Sequence, residues 1–293
     1  MRDSAGRKAR GAVRAAAAVA AAALLVTGCD DGKGGAEPGA RPSASAGPTW
    51  QTRPASLASL GDSISRGFDA CSLLADCPEV SWATGTQVDS LASRLLASPR
   101  TSSWNLAKTG ARMSDLPAQM KAAVANKPQL VTVLLGANDA CRADVGAMTP
   151  VDTFRADFER SVKELRTALP TSQLYVAAIP DLKRLWSQGR GNDFAKTVWN
   201  LGICPSMLRD AGKVDAASAG RREQVDKRVG EYNAVLADVC RRDELCRYDG
   251  SVHDYGFTGE ALSKWDWFHP SKDGQQRLAD MAYRTITSPR PPA

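Results

Sequence analysis

Histidine is scarce in this sequence of 293 residues, which contains only His253 and His269. Its seven cysteines include no Cys-x-x-Cys pair, so the usual ligand patterns of a structural zinc site are missing. With so few metal-ligating side chains, we expect neither a metal nor another cofactor. The scarcity also narrows the search for a catalytic base, because imidazole is the side chain best matched to proton transfer near neutral pH.

The sequence also lacks an apolar run long enough to cross a bilayer comfortably. Its most apolar run, residues 15–26, follows five basic residues and is typical of the core of a secretory signal peptide. The run ends in Leu-Val-Thr-Gly before Cys29, which resembles the bacterial lipobox, where the cysteine is acylated and becomes the new N-terminus. We therefore predict a lipoprotein signal peptide over 1–28 and lipidation of Cys29. Ordinary cleavage nearby, leaving Cys29 free, is the alternative.

A strong net charge is missing as well. The whole chain carries +6, but residues 1–28 hold five basic residues and one acidic residue, a net of four positive charges. Their removal leaves +2. This value excludes the strongly basic surface that nucleic-acid-binding proteins usually need.

The remainder divides into a tether and one domain. Residues 29–54 are rich in Gly, Ala, Pro and Ser and have no apolar periodicity, which predicts a flexible tether with a reach of roughly 25–30 Å. Residues 55–292 show no second linker and no internal repeat, and they are long enough for a single core.

Six cysteines remain in this predicted domain, and an even number in an exported chain predicts three disulfides. They are Cys71, Cys77, Cys141, Cys204, Cys240 and Cys246. Fifteen pairings are formally possible. Proximity along the chain favours Cys71 with Cys77 and Cys240 with Cys246, which leaves Cys141 for Cys204.

Short apolar segments alternate with longer helical patterns along this domain. The predicted strands are 56–60, 104–106, 130–135, 174–179 and a weaker 245–248. The predicted helices are 87–96, 114–124, 151–169, 221–239 and 272–282, with Ser114 and Ser271 as N-caps. The alternation predicts a parallel sheet with helices on both faces, and ligands bind beyond the carboxyl ends of the strands in such sheets.

The residues that follow these strands form four blocks. Gly61-Asp62-Ser63 follows the first strand, Gly110 lies after the second, Asn138 follows the third, and Asp266 and His269 precede the last helix. In this order the blocks resemble the SGNH (GDSL) hydrolase family over essentially the whole domain. The resemblance implies an α/β, three-layer flavodoxin-like sandwich with a central parallel sheet of about five strands. It also implies a serine hydrolase that acts on carboxylic ester bonds.

The residue chemistry agrees with a Ser-His-Asp triad. A serine hydroxyl is a poor nucleophile until a neighbouring base takes its proton. His269 has Asp266 three residues earlier, close enough for the carboxylate to hold the ring in one tautomer. We therefore predict Ser63 as nucleophile, His269 as base and Asp266 as the third member. His253 matches no block and is expected at the surface or at the rim of the site.

The resemblance places the oxyanion hole at the backbone N–H of Ser63, the backbone N–H of Gly110 and the side-chain amide of Asn138. A plain turn glycine and a loop cap are the alternatives for the last two. Asp62 and Asp139 are expected to bond loop amides around the site. No Gly-x-Ser-x-Gly sequence surrounds Ser63, which counts against an α/β-hydrolase fold.

The connection over about 181–213 is predicted to be an irregular, cap-like insertion over the substrate site, with packing on the domain flank as the alternative. Its apolar residues are Trp186, Phe194, Trp199, Ile203, Met207 and Leu208. The segments Leu185-Trp186 and 202–205 resemble secreted actinobacterial members of the family that have three disulfides.

The apolar cap, together with Trp265, Trp267 and Phe268 beside the base, favours an esterase or lipase acting on small-molecule or lipid acyl esters. A carbohydrate O-acetylesterase and a non-catalytic binding lipoprotein are the alternatives. We expect an exported monomer that the lipid anchor holds at the extracellular side of the cell membrane. A fraction of the protein is expected to be released from the membrane.

Overall fold

The computed structural model describes residues 49–290. The predicted signal peptide over 1–28, the lipidation of Cys29 and most of the tether lie outside these residues and stay predictions. The centre of the described part is a five-stranded sheet in which every pairing is parallel. Its strands are β1 (Leu57–Gly61), β2 (Ser103–Asn105), β3 (Leu130–Leu134), β4 (Gln173–Ala177) and β5 (Cys246–Asp249).

The strand order is β2-β1-β3-β4-β5. Leu57 of β1 lies opposite Ser103 on one side and Leu130 on the other, so β1 is the strand from which the chain winds in both directions. In doubly wound sheets a ligand crevice opens at this reversal point, at the carboxyl ends of the strands. Every residue of β1, β3 and β4 is buried, as expected for parallel strands covered on both faces.

Eleven α-helices occur within residues 49–290. They are α1 (Leu91–Leu95), α2 (Pro99–Ser102), α3 (Leu116–Ala125), α4 (Ala137–Ala140), α5 (Val151–Ala168), α6 (Leu182–Gly189), α7 (Asp193–Trp199), α8 (Pro205–Leu208), α9 (Ala216–Arg241), α10 (Ser251–Asp254) and α11 (Lys272–Thr287). Helices α3, α5 and α9 pack in sequence to form one layer, and α11 packs with α1 in the other. The predicted three-layer α/β sandwich is confirmed.

Helix boundaries follow the capping residues. Ser271 accepts a hydrogen bond from the Gly274 amide and caps α11, as predicted. Ser114 is not an N-cap, because it lies inside a 3₁₀ turn (Met113–Asp115) that precedes α3. Helix α9 begins at Ala216, five residues earlier than predicted, since Asp215 accepts from the Ser218 amide. The small residues of that first turn carry no apolar period to reveal it.

Two further segments differ from their predictions. Residues 87–90 are not helical, because α1 begins only after Ser90, whose hydroxyl accepts from the Ser93 amide. Residues 181–213, predicted to be irregular, contain the short helices α6, α7 and α8. In the described part of the chain, none of the helices combines the length and the apolar character that crossing a bilayer requires.

Three disulfides link the six cysteines of the domain: Cys71–Cys77, Cys141–Cys204 and Cys240–Cys246. The first and last each span six residues, and the second spans 63. Under the chain-entropy model, the long loop contributes about 4 kcal/mol of stability and each short loop about 2 kcal/mol.

Candidate active site

The turn after β1 presents Ser63. Gly61 ends the strand at a φ of 152°, and a Cβ there would lie 2.4 Å from the Leu134 carbonyl oxygen, so only glycine fits. The buried Gln119 amide bonds both backbone groups of Gly61, accepting from its N–H at 2.8 Å and donating to its carbonyl at 2.9 Å. This clamp fixes the strand end from which Ser63 projects.

The structure brings Ser63, His269 and Asp266 together from opposite ends of the chain. His269 Nε2 lies 2.9 Å from Ser63 Oγ, and His269 Nδ1 bonds Asp266 Oδ2. The Asp266 side chain is fully buried, and His269 is 9% exposed. The His269 ring therefore lies between a serine hydroxyl and a carboxylate, which is the arrangement that nucleophilic catalysis by serine uses.

A tight turn holds Asp266 and His269 in register. Asp266 Oδ1 accepts hydrogen bonds from the backbone N–H groups of Phe268 and His269, both at 2.9 Å. Aspartate favours such turns because its short side chain reaches amides two and three residues ahead. The Ser263 amide donates to the His269 carbonyl at 2.8 Å and closes the loop behind the turn.

Charge decides the protonation of this pair. Burial alone lowers the pKa of His269, but the Asp266 charge and its hydrogen bond outweigh burial and leave the pKa raised above its usual value. Burial raises the pKa of Asp266, but the His269 charge and the turn amides outweigh it, and the net pKa is lowered. Asp266 is therefore ionised and accepts the N–H of the ring.

The residues predicted for the oxyanion hole lie next to Ser63. Asn138 is in α4, and its side-chain nitrogen donates to the Ala111 carbonyl at 3.0 Å, which orients the amide. The second amide hydrogen has no acceptor among the described residues. Gly110 has a φ of 80° and is exposed. Within residues 49–290, neither the Ser63 N–H nor the Gly110 N–H donates a hydrogen bond to the protein. All three groups line one cavity.

Asp62 and Asp139 bond loop amides, as expected. Asp62 accepts from the Ile64 amide at 3.0 Å, and Asp139 accepts from the Met113 amide at 2.8 Å and the Thr149 hydroxyl at 2.7 Å. Burial is the main reason that the pKa of Asp62 is raised to about 7 and that of Asp139 to about 6.

The cavity beside Ser63 and His269 has a volume of about 180 Å³ and a mostly apolar wall. That wall includes Ile64, Leu182, Leu185, Ile203, Phe257 and Leu262. Segment 181–213 thus supplies part of the wall. Of the three aromatic residues expected beside the base, Phe268 alone is in this wall.

Other aromatic residues of the segment serve its own packing. Trp186 lies 4.2 Å from the Arg222 guanidinium and donates to the Ala211 carbonyl, whereas Phe194 is half exposed. Three contacts tie segment 181–213 to the site: the Cys141–Cys204 disulfide, a hydrogen bond from the Ser206 hydroxyl to the Ala140 carbonyl at 2.6 Å, and one from Trp199 Nε1 to the Asp266 carbonyl at 2.6 Å.

The sequence did not point to Asp69, which lies near the triad. Asp69 is 1% exposed, and its carboxylate lies within 4.8 Å of groups on Asp266 and His269. Its only signal is its position six residues after Ser63, and spacing alone could not place it there. The loop closed by Cys71–Cys77 also contacts the segment that contains Gly110, because the Thr109 hydroxyl donates to Asp76 at 2.5 Å. This short loop therefore lies close to the site.

Two clusters in the described part of the chain have the side chains of a metal site. Cys71, Cys77 and Glu79 form one, but both sulfur atoms are used in the disulfide. Asp69, Asp266 and His269 form the other, where His269 Nδ1 is already bonded to Asp266. His253 is elsewhere, with Nδ1 2.9 Å from the Ile179 carbonyl oxygen.

Comparison with known proteins agrees with this geometry. The sequence profile of the family described as GDSL-like Lipase/Acylhydrolase matches residues 57–282. No curated protein matches the chain in sequence.

Two solved structures are similar to this chain. A variant of Axe2, an acetyl-xylooligosaccharide esterase from Geobacillus stearothermophilus, is 18% identical with a TM-score of 0.50, over 80% of this chain and 94% of that one. A protein described as a GDSL-like lipase from Parabacteroides merdae is 16% identical with a TM-score of 0.48, over 82% and 98%. At these identities, the similarity shows the fold alone.

Proposed function

The chain belongs to the GDSL-like lipase/acylhydrolase family and is a carboxylic ester hydrolase. We propose that Ser63 is its nucleophile, that His269 is its general base, and that the Asp266 carboxylate orients His269. The observation that carries the proposal is the pair of contacts on the His269 ring. Nε2 lies 2.9 Å from Ser63 Oγ while Nδ1 bonds the buried Asp266 carboxylate.

The reaction follows from these contacts. Ser63 Oγ attacks the ester carbonyl carbon as its proton passes to His269 Nε2, and Asp266 stabilises the imidazolium. The ester C–O bond breaks, and His269 returns the proton to the departing alkoxide. Water then attacks the acyl-serine with His269 again as base, releasing the carboxylic acid and restoring the Ser63 hydroxyl.

The negative charge that develops on the carbonyl oxygen is assigned to three donors: the N–H groups of Ser63 and Gly110 and the second amide hydrogen of Asn138. Two observations support this assignment: among the described residues neither backbone N–H donates to the protein, and the Ala111 carbonyl already orients the Asn138 amide. Donors fixed in place before reaction stabilise the transition state without reorganising.

Single substitutions test the triad against p-nitrophenyl butyrate. Ser63→Ala and His269→Ala should each lower kcat by about 10³-fold or more, since the members of a triad act as a unit. His253→Ala is the matched control, because it removes the only other histidine, and it should retain full activity. Circular dichroism checks folding. Wild-type turnover by Ser63→Ala protein would overturn the assignment.

We propose acyl chains of medium or greater length as the substrate class. The apolar wall formed by residues such as Leu185 and Ile203 supports this. Each methylene that enters such a wall contributes up to about 0.8 kcal/mol, close to a fourfold gain in kcat/KM.

A panel of p-nitrophenyl esters from acetate to palmitate measures this preference. We expect kcat/KM to rise from acetate to at least hexanoate. Leu185→Trp should fill the cavity and lower kcat/KM for the longer esters more than for acetate. A kcat/KM that is highest for acetate and falls with chain length would favour a carbohydrate O-acetylesterase instead.

We also propose that the enzyme is exported and anchored to the membrane through a lipid on Cys29. The lipobox-like sequence supports this, and so do three disulfides, which persist in oxidising compartments. Mass spectrometry of the mature N-terminus should find a diacylated Cys29, and Cys29→Ser should release the protein from the detergent phase. An unmodified N-terminus at another residue would exclude the anchor.

A further inference from the structure

A second buried carboxyl group lies behind the His269–Asp266 pair. The Asp69 side chain is within 4.8 Å of both Asp266 and His269, and Asp69 is only 1% exposed. The reaction described above gives it no part. Two carboxylates this close and this buried repel each other strongly unless a proton lies between them.

The hydrogen bonds of Asp69 leave one oxygen available for that proton. Oδ1 accepts from the Leu74 amide, and the Asp69 backbone carbonyl accepts from the Ser263 hydroxyl at 2.6 Å. Oδ2 is buried and has no hydrogen-bond partner among the described residues. A buried polar atom without a partner destabilises the folded state. A proton shared with the neighbouring Asp266 carboxylate gives Oδ2 a partner.

We propose that Asp69 is a positioning residue: its carboxyl group shares a proton with Asp266 and holds that carboxylate against the His269 ring. The inference rests on the proposed role of His269 as base. Asp69 is not in the wall of the substrate cavity, so it acts on the Asp266–His269 pair and not on the substrate.

The charges around the site agree with this arrangement. Burial, followed by the Asp266 charge, raises the pKa of Asp69 well above that of an exposed aspartate, which is the direction that a proton shared with Asp266 requires. The two carboxyl groups then carry one negative charge between them, and that charge lies on Asp266, beside the His269 ring.

Asp69→Asn is the informative variant. The amide keeps an oxygen for the Leu74 N–H and offers Asp266 a permanent N–H donor without a charge. Asparagine also tolerates the left-handed backbone of this position, whose φ is 55°. We expect kcat at the pH plateau within about threefold of wild type and an acid limb of kcat/KM at the wild-type pH, because the amide is uncharged like the protonated carboxyl group that it replaces.

Asp69→Ala removes the hydrogen bond to Asp266. We expect it to lower kcat about tenfold or more with KM within about twofold, because the lost contact orients the base rather than the substrate. Recovery of kcat in the Asn variant would show that the hydrogen bond to Asp266 matters, since both variants remove the carboxyl group and only asparagine keeps a donor.

NMR gives a readout that does not depend on turnover. The chain has only two histidines, so their ring signals can be assigned with the His253→Ala protein. In Asp69→Asn, the pKa of His269 should match that of wild type, because the amide donates to Asp266 as the shared proton does. In Asp69→Ala it should rise, because Asp266 loses a donor and its charge acts more strongly on the ring. Asp249→Ala is the matched control. It removes another buried carboxyl, one bonded to Tyr175 and Thr285 rather than to the triad, and should leave the His269 titration unchanged.

A His269 pKa that falls in Asp69→Asn would show that Asp69 is ionised in wild type and would overturn the inference, even if the Ala variant fails to fold. Equal losses of kcat in the Asn and Ala variants would also overturn it. Neither result touches the proposed function, which fails only if Ser63→Ala or His269→Ala remains active.

Discussion

The indole nitrogen of Trp199 donates a hydrogen bond to the backbone carbonyl of Asp266 at 2.6 Å. Trp199 is 2% exposed at the end of α7, and Asp266 is the residue proposed to orient His269. Segment 181–213 is therefore joined to the turn that carries Asp266 and His269, and not only to the cavity that it helps to enclose.

We expect Trp199→Phe to reduce both stability and turnover. Loss of the hydrogen bond should cost about 1 kcal/mol of unfolding free energy, and the loosened turn should lower kcat up to about tenfold. Trp186→Phe is the control, since it removes a hydrogen bond to Ala211 in the same segment without touching Asp266. Equal kcat in the two variants would show that the Trp199 bond does not position the turn.

Asn138→Ala should lower kcat by about 10²–10³-fold with little change in KM, because the amide acts mainly on the charge of the transition state. Asn126→Ala removes an exposed amide that bonds only the helix carbonyl of Ala122, and it should behave as wild type. Steady-state kinetics distinguish the roles: a raised KM with unchanged kcat would make Asn138 a substrate-binding residue.

The Cys141–Cys204 disulfide is expected to hold the active-site geometry as well as the fold. Cys141 follows the helix of Asn138, and Cys204 precedes α8 in the segment that walls the cavity. The double change Cys141→Ser with Cys204→Ser should lower turnover at temperatures where circular dichroism still shows folded protein. The double change Cys240→Ser with Cys246→Ser removes a bond at the amino end of β5, away from the site. It should lower Tm and leave the turnover of the folded protein unchanged. If turnover falls only as the protein unfolds in both double variants, the Cys141–Cys204 bond stabilises the fold and does not hold the active-site geometry.

The activity should depend on pH through His269. Because its pKa lies above the usual value of 6.5, the base is protonated and inactive at pH values where an ordinary histidine is partly free. We expect kcat/KM to fall as pH drops, with a midpoint above about 6.5, and His253→Ala to leave this midpoint unchanged. A midpoint well below that of a free histidine would contradict the ion pair.

Asp62 should impose an opposite dependence on stability. Its folded pKa of about 7 exceeds the ordinary 3.8, so its contribution is full at low pH and is lost as pH rises through about 7. Asp62→Asn does not titrate, so the Tm of the variant minus that of wild type should increase between pH 5 and pH 8. If the Tm difference between Asp62→Asn and wild type stays constant from pH 5 to pH 8, ionisation of Asp62 does not destabilise the folded protein.

The sheet and the residues at its strand exits could be predicted from the sequence because each signal is local. The apolar run of β3 and the polar residues directly after it are visible in a few neighbouring letters. Ser271 as a cap is equally local, whereas α6 and α7 were missed because their short amphipathic turns are stabilised by packing against α8 and α9.

Asp69 shows the limit of this approach. Its contact with Asp266 joins loops almost 200 residues apart and depends on a left-handed residue, a disulfide loop and the Ser263 hydrogen bond acting together. No periodicity or spacing records such an arrangement. The hydrogen bonds from Asp266 to the amides two and three residues ahead are local, by contrast, and lie within the sequence Asp-Trp-Phe-His itself.

Covalent labelling of Ser63 tests the central claim most directly. A fluorophosphonate forms a stable adduct with an activated serine, and peptide mapping by mass spectrometry identifies the residue. We predict a single adduct on Ser63 that is absent in Ser63→Ala protein, formed far more slowly in His269→Ala protein, and formed at the wild-type rate in His253→Ala protein. An adduct on another serine, or labelling of Ser63 that is unaffected by His269→Ala, would contradict the account.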